Sequence, residues 1–409
     1  MKDGFGTLLD EAAAHALNYA DARQAIGVAR RRRALRATGA AAMVVAFLLA
    51  GPWTWDRIES SPPAAPARTH PVYPPKVVPP ESAELLPADR PVGAAAFLYS
   101  PCPHPDRCPE YLVIPDGHQY LMPPLADRLH ATSKYTLSPD GRYLGWDAGE
   151  QYRIRDLQGS TALDVEVPGA GRELSAAGWS PDSRYVLVVR HEDAPRTYVR
   201  VALDGSSAPV TIPHDDTPSP TREAVAQVLN TGDVILAGPE GDPPVVRLRI
   251  VDAATLREKR RIEIDRTGMP KDWEVASAQF LLAPCGCEVS FPLWAHQTHW
   301  APDLGQNVET GVAPVWHAIQ TGLLRYELTS GHLISRHDVP PPSTDRKKTK
   351  FTSMWAVKAD LAGGQVALNW RVDRAEIVLV NSVNGSHNVV TRLPAGAVVL
   401  VRSATTAIY

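Results

Sequence analysis

Apolar positions along this chain follow two regimes. From about residue 92 onward they come in short runs such as "EYLVIP", "RYVLVVRH", "VVRLRIV" and "AEIVLVNS", divided by Gly, Pro, Asp or Asn. Runs of that length, rich in β-branched and aromatic residues, predict strands joined by tight turns. Upstream the pattern is different. "ATGAAAMVVAFLLAGPWTW", Ala37 to Trp55, carries no charge, and "SSPPAAPARTHPVYPPKVVPPESAELLPADRP", Ser60 to Pro91, is broken by proline throughout.

The strand-like runs group into units. "KYTL", "RYLGWD", "QYRIRDL" and "TALDVEVP" form one, with the turn "SPDG" between its first two members. The next repeats it as "AAGW", turn "SPDS", "RYVLVVRH", "TYVRVAL" and "APVTIP". Proline presets φ at the second turn position, while Asp and Gly or Ser accept the tight geometry. Looser copies follow from "VAQVLNTGDVILAG", from "VASAQFLLAPCGCEVSFPLWA" and from "SMWAVKAD". Four strands at a period of about forty residues predict propeller blades, whose faces are covered only by stacking on neighbours. Before the first clear repeat, "GAAAFLYS", "EYLVIP" and "QYLMPP" supply three strands. The terminal "AGAVVLVRS" supplies a fourth, so residues Ala397 to Val401 are expected to close the ring on the first blade. The expected fold class is all-β, a six-bladed propeller, or seven-bladed if the long insert after Trp294 holds another unit.

"SPDGRYLGW" and "SPDSRYVLVV" resemble the repeats of TolB-like and WD40-like propellers, over roughly Pro91 to Tyr409. The recurring Gly-His and Trp-Asp pairs of strict WD40 repeats are missing. The order of leader, arginines, apolar segment, proline spacer and propeller looks like a group of actinobacterial membrane proteins. The TolB-like resemblance implies protein contacts in the cell envelope, although the shared turn is a structural motif.

The apolar segment sets the expected topology. As a helix rising 1.5 Å per residue, Ala37 to Trp55 just spans a hydrocarbon core of about 30 Å. Arg30, Arg31, Arg32, Arg33 and Arg36 precede it, which by the positive-inside bias leaves the N-terminus in the cytoplasm. A cleaved signal peptide is the rival, opposed by the long leader and by bulky "PWTW" where small residues should stand. The chain therefore divides into a cytoplasmic helical juxtamembrane segment (1–36), a transmembrane helix (37–55), an extracytoplasmic Pro-rich linker (56–91) and a propeller (92–409). His70 and Tyr73 are expected to be exposed spacer residues. The expected location is the cell membrane, single-pass, with the lipid bilayer contacted through residues 37–55.

Net charge of -3 and a pI near 6.5 give no argument for nucleic acid as a partner. Enzyme motifs are missing: no Gly-x-Ser-x-Gly elbow, Walker sequence, Gly-x-Gly-x-x-Gly loop or His-Glu-x-x-His helix occurs. No cofactor is expected. Cys285, Cys287, His296 and His299 are the one candidate metal set, since thiolate and imidazole suit zinc. Cys-x-Cys is shorter than the usual spacing, however, and on a strand it would place both thiols on one face. An exported location favours disulfides instead, with Cys102–Cys108 the most natural pairing. Trp294, Trp300 and Trp316, within and beside the insert, are the candidate binding surface, because large rigid side chains on loops give contact area at small entropic cost. Two functions remain. The first is a membrane-anchored scaffold recognising a protein or envelope polymer. The other is an exported hydrolase or lyase with an unrecognised central site.

Overall fold

The structure is a computed structural model. It describes residues 72–101, 108–124, 135–169, 173–191, 197–212, 224–240, 245–264, 273–275, 280–296, 318–338, 343–345, 350–361, 364–371, 374–381, 386–395 and 397–401. They contain strands and no helix, and so no helix long and apolar enough to cross a membrane. Ala37–Trp55 and the leader 1–36 lie outside the described residues.

The strands form six sheets, each an antiparallel meander. The second blade is Tyr135–Leu137, Tyr143–Asp147, Gln151–Asp156 and Ala162–Glu166. The third is Glu173–Trp179, Tyr185–His191, Thr197–Ala202 and Val210–Ile212. The fourth runs from Ala224–Val228 to Glu258–Ile264. In the fifth, Trp273–Val275 and Leu281–Leu282 both pair with Glu288–His296, followed by Ala318–Glu327 and Leu333–Asp338. The sixth holds the short Ser343–Asp345 and then Lys350–Leu361, Gly364–Arg371, Arg374–Val380 and His387–Pro394.

The first blade joins the two ends of the chain. Phe97–Ser100, Tyr111–Val113 and Gln119–Leu121 come from the start, and Val398–Val401 comes from the end. Val401 pairs with Phe97 and Val398 with Ser100, antiparallel. The sequence-based closure is thus present, with the first strand of the blade supplied by the C-terminal segment.

Alternation explains how each sheet serves two neighbours. In Tyr185–His191, Val186 and Val188 pack into one cluster with Tyr152, Ile154 and Val165 of the second blade. Leu187 and Val189 point the other way, into a cluster with Val228, Leu236 and Val251 of the fourth. A strand buried on both faces must be apolar at consecutive positions, which is why this one reads "YVLVV". Six such clusters occur, each shared between adjacent blades, and one of them joins Val366, Leu368 and Ile377 of the sixth blade to Phe97 and Tyr99 of the first. The ring is therefore closed by side-chain packing as well as by strand pairing. One glycine is required by close approach. A Cβ on Gly145 would lie 2.4 Å from the Tyr152 hydroxyl, which hydrogen-bonds the Thr136 hydroxyl at 2.7 Å.

The Pro-rich linker departs from the expectation of a free spacer. The compact unit begins at Arg68, and the described part, from Val72, lies along the outside of the ring. Pro74 O accepts from the Thr391 hydroxyl at 2.8 Å, and Val77 N donates to Arg392 O at 2.9 Å, both in the outer strand of the sixth blade. Glu84–Leu85 then adds to the first blade, parallel to Gln119–Leu121. Further on, the Arg155 guanidinium donates to Arg90 O at 3.0 Å, and Val92 N to Leu157 O at 2.8 Å, both partners lying in or just beyond the third strand of the second blade. Tyr73, expected to be exposed, is 9% accessible and stacks on Phe97 at 6.3 Å between centroids. Proline-rich backbone suits this path. It is already extended, and an edge strand demands few of its donors. His70 lies outside the described residues.

Candidate binding face

The meander order gives the ring two unlike ends. At one end sit the turns joining the first and second strands of the second to fifth blades, all short. Ser138 N donates to Tyr143 O at 3.0 Å and Gly141 N to Ser138 O at 2.9 Å; Ser180, Tyr185 and Ser183 repeat this at 2.8 Å for both bonds. The Ser138 hydroxyl accepts from Tyr143 N and donates to Asp140 Oδ1, which also accepts from Arg142 N. Ser180, Asp182, Arg184 and Tyr185 repeat that network too. Gly141, Ser183, Gly232 and Gly286 occupy one position in four successive blades, with φ of 73°, 62°, 79° and 63°. Glycine is favoured there because other residues are strained at positive φ, and the serine makes a bond in exchange. The Ser183 hydroxyl accepts from Asp140 N at 3.1 Å, linking neighbouring turns. Asp182 N reaches the Asn230 side chain at 2.9 Å, and Asn230 Nδ2 reaches Pro284 O at 3.4 Å. Hydrogen bonds thus run from blade to blade across this turn face.

Its charges are committed to the fold. Arg142 holds Asp156 through both carboxylate oxygens, the shortest contact being 2.6 Å. Burial pushes the Asp156 carboxyl up, but the Arg142 guanidinium and the amides of Gln158 and Gly159 outweigh it and leave it below the usual range. Asp204 is held low chiefly by the Ser206 hydroxyl and amide, and Asp252 by those of Thr255. Each of these three carboxylates caps the next turn of its blade.

The opposite end is where second strands finish and third strands begin. The second strands of the first, third, fourth and fifth blades end there before segments 102–107, 192–196, 241–244 and 297–317, and the outer strands of the first, third and fourth blades end there before 125–134, 213–223 and 265–272, all of them outside the described residues. What is described on this face is bracing. The Arg190 guanidinium donates to Val167 O at 2.9 Å and to Glu150 O at 3.1 Å, and Asp147 accepts from Gly149 N and Leu174 N.

The candidate residues distribute between these ends. Trp294 lies in Glu288–His296, its backbone opposite Gln320 and Glu274, next to a register shift at the root of the insert. Trp300 and Trp316 lie outside the described residues, as does His299. Cys285 and Cys287 are bonded to each other, and they sit in a turn rather than on a strand. They stand just before the first residue of Glu288–His296, and His296 is its last, so a 9-residue strand separates them. At about 3.3 Å per residue that is far beyond the span of one tetrahedral site. Cys285 and Cys287 are therefore not brought together with His296. Among the described residues, no group of three or more His, Cys, Asp or Glu is placed to hold a metal. Cys108 is disulfide-bonded, and its expected partner Cys102 lies outside the described residues.

Six sheets in a closed ring define a six-bladed all-β propeller. No protein-family model matches the chain, and no curated protein does. Solved structures similar to it include one assigned to TolB in Agrobacterium tumefaciens, 13% identical, with TM-score 0.40, covering 76% of this chain and 99% of that one. TolB of Acinetobacter baumannii is 12% identical, with TM-score 0.40, covering 76% and 68%. A puromycin hydrolase is 15% identical, with TM-score 0.37, covering 78% and 56%. Similarity at this level carries no functional argument, and the blade count rests on the chain's own sheets.

Two features escaped the sequence reading. The docked linker had no local signal, because prolines read as spacer wherever they stand. The fifth-blade turn did have one: "LLAPCGCEVSF" aligns with "YTLSPDGRYLGW", Cys285 falling on Asp140 and Gly286 on Gly141.

Proposed function

We propose that this chain is a recognition module, held on the cell membrane by residues 37–55 and presenting the end of its propeller opposite the short turns to a protein or envelope polymer. The leader 1–36 is cytoplasmic in this reading and the ring extracytoplasmic. What supports it is the asymmetry between the two ends. One end is closed by short turns and internal ion pairs, whereas at the other Glu288–His296 ends and Ala318–Glu327 begins, on either side of segment 297–317 with Trp300 and Trp316. Loops on a rigid scaffold are where recognition is commonly carried, and tryptophans dominate such surfaces. Basic residues in "TDRKKTK", Thr344 to Lys350, join the same end through the hairpin Ser343–Asp345 and Lys350–Leu361, and would favour an anionic polymer.

The test is affinity capture of the intact protein from its native membrane, against the same protein with segment 297–317 replaced by a short Gly-Ser linker. A partner retained by the first and lost by the second supports the reading. Equal capture removes the insert from it. Turnover of an envelope polymer by the purified protein would move the conclusion to the hydrolase or lyase class.

A further inference from the structure

The fifth-blade turn copies the backbone of the Ser-Pro-Asp turns but not their chemistry. Ala283 N donates to Glu288 O at 3.0 Å and Gly286 N to Ala283 O at 2.8 Å, the same two bonds that Ser138, Tyr143 and Gly141 make. Where Asp140 Oδ1 accepts from Arg142 N, Cys285 Sγ accepts from Cys287 N at 3.1 Å. The two sulfurs are also bonded to each other, across a Cα–Cα distance of 5.1 Å and a sequence separation of 2. Asn230 braces the turn from the fourth blade through Pro284 O, and Leu328 N bonds Cys287 O at 2.8 Å. The turn is thus held by backbone bonds that involve no sulfur. A loop this small takes little conformational freedom from the unfolded chain, so the disulfide is poorly placed as a staple. Both cysteines are exposed.

We propose that Cys285–Cys287 is a thiol–disulfide exchange site for a dithiol oxidoreductase of the thioredoxin class, and that the propeller stays folded in both redox states. A partner thiolate attacks Cys287 Sγ, the Sγ–Sγ bond breaks, and Cys285 leaves as a thiolate. The Cys287 amide is already directed at Cys285 Sγ and stabilises the charge that develops there. The partner's second thiolate then attacks its own sulfur in the mixed disulfide and releases the Cys287 thiolate. Two electrons and, after protonation, two protons pass to this chain, and the partner is left as a disulfide. Glu288, the acid beside Cys287, is paired with Arg325, which offsets its repulsion of an incoming thiolate. The site lies at the opposite end of the ring from the face assigned to recognition and does not depend on that assignment.

The experiment uses the full chain in detergent with a thioredoxin whose second active-site cysteine is replaced by serine, so that the mixed disulfide is trapped. A covalent adduct mapped to Cys287, forming at least about tenfold faster than any adduct at Cys108, is the expected result. It should vanish in Cys287→Ser, and millimolar dithiothreitol should reduce the pair while the near-ultraviolet circular dichroism is retained. The double variant Cys285→Asp/Cys287→Arg rebuilds Pro139 to Arg142 of the second blade at this turn. It should fold with an unchanged midpoint and give no adduct in this turn. Absence of an adduct on the native chain, loss of the near-ultraviolet signal on reduction, or a destabilised double variant would each overturn the proposal, the last two by making the disulfide structural.

Discussion

The second and third blades and the seam between sixth and first blades solve the same problem with different means. In the former, the first two strands are joined by a six-residue turn, Ser138 to Tyr143 or Ser180 to Tyr185, closed by bonds within the turn and linked to the next turn. At the seam the equivalent strands, Val398–Val401 and Phe97–Ser100, come from opposite ends of the chain, and no turn joins them. The strap from Val72 to Val92 supplies what the turn cannot. It bonds the sixth blade at Thr391 and Arg392, the first at Gln119 and Leu121, and the second at Leu157. Closing a short turn costs little chain entropy, whereas the seam must hold together ends separated by almost the whole domain. The ring should therefore be strongest where its motif is visible and most conditional where no motif exists.

The largest test of that contrast is truncation of the full chain after Pro394. Losing Val398–Val401 should cost on the order of 4 kcal/mol, from apolar burial and a strand's hydrogen bonds, and lower the denaturant midpoint of the whole domain. An unchanged midpoint and slope would show that the seam needs no closing strand. Next comes Tyr73→Ala. If the strap is part of the fold, removing a buried ring that stacks on Phe97 should cost about 3 kcal/mol and expose the amides of Val77 and Arg392 to hydrogen exchange. A strap that is only a tether would leave both readings as they were.

On the other side of the comparison, Asp140→Ala removes the acceptor for the Ser138 hydroxyl and Arg142 N, and should cost about 1–2 kcal/mol in thermal or denaturant melts. Asp182→Ala should match it. Combined with Ser183→Ala, whose hydroxyl accepts from Asp140 N, Asp140→Ala should be non-additive, because the two turns share that bond. Strict additivity would mean the turns act alone.

The smallest effect is that of acid. Asp156, Asp204 and Asp252 all have carboxyls held below the ordinary value, so the stability they contribute is present above the unfolded value of about 3.9 and is lost as pH falls through their lower folded values. Asp156→Asn should flatten the decline of stability on acidification, and Asp204→Asn, whose partner Arg184 is more exposed and stands at 3.4 Å, should flatten it less. Equal slopes would put the acid sensitivity elsewhere in the chain.

Legibility in the sequence followed range. Ser138, Pro139, Asp140 and Tyr143 specify a turn by themselves, since proline's φ and the side-chain bonds act within a few residues, and they marked two blades without ambiguity. Strand counting then placed Ala397 to Val401 at the first blade, because three strands there left an edge to cover. Cys285 and Cys287 were visible as disulfide candidates, but not as an Asp140-type turn, since the strand assignment carried them past the end of the turn. The grouping of those cysteines with His296 failed for a related reason: nearness in sequence along a strand is distance in space.

By itself, then, the sequence determined the kind of element and the repeat, because apolar alternation and turn chemistry are local. Tertiary structure alone decided that the Pro-rich segment docks, that Tyr73 is buried, and that Cys285–Cys287 and His296 stand at opposite ends of one strand. Extended proline backbone carries no instruction about what it will lie against. That is fixed only when the outer strands of the first and sixth blades meet and leave unpaired carbonyls, amides and the Thr391 hydroxyl for it to satisfy.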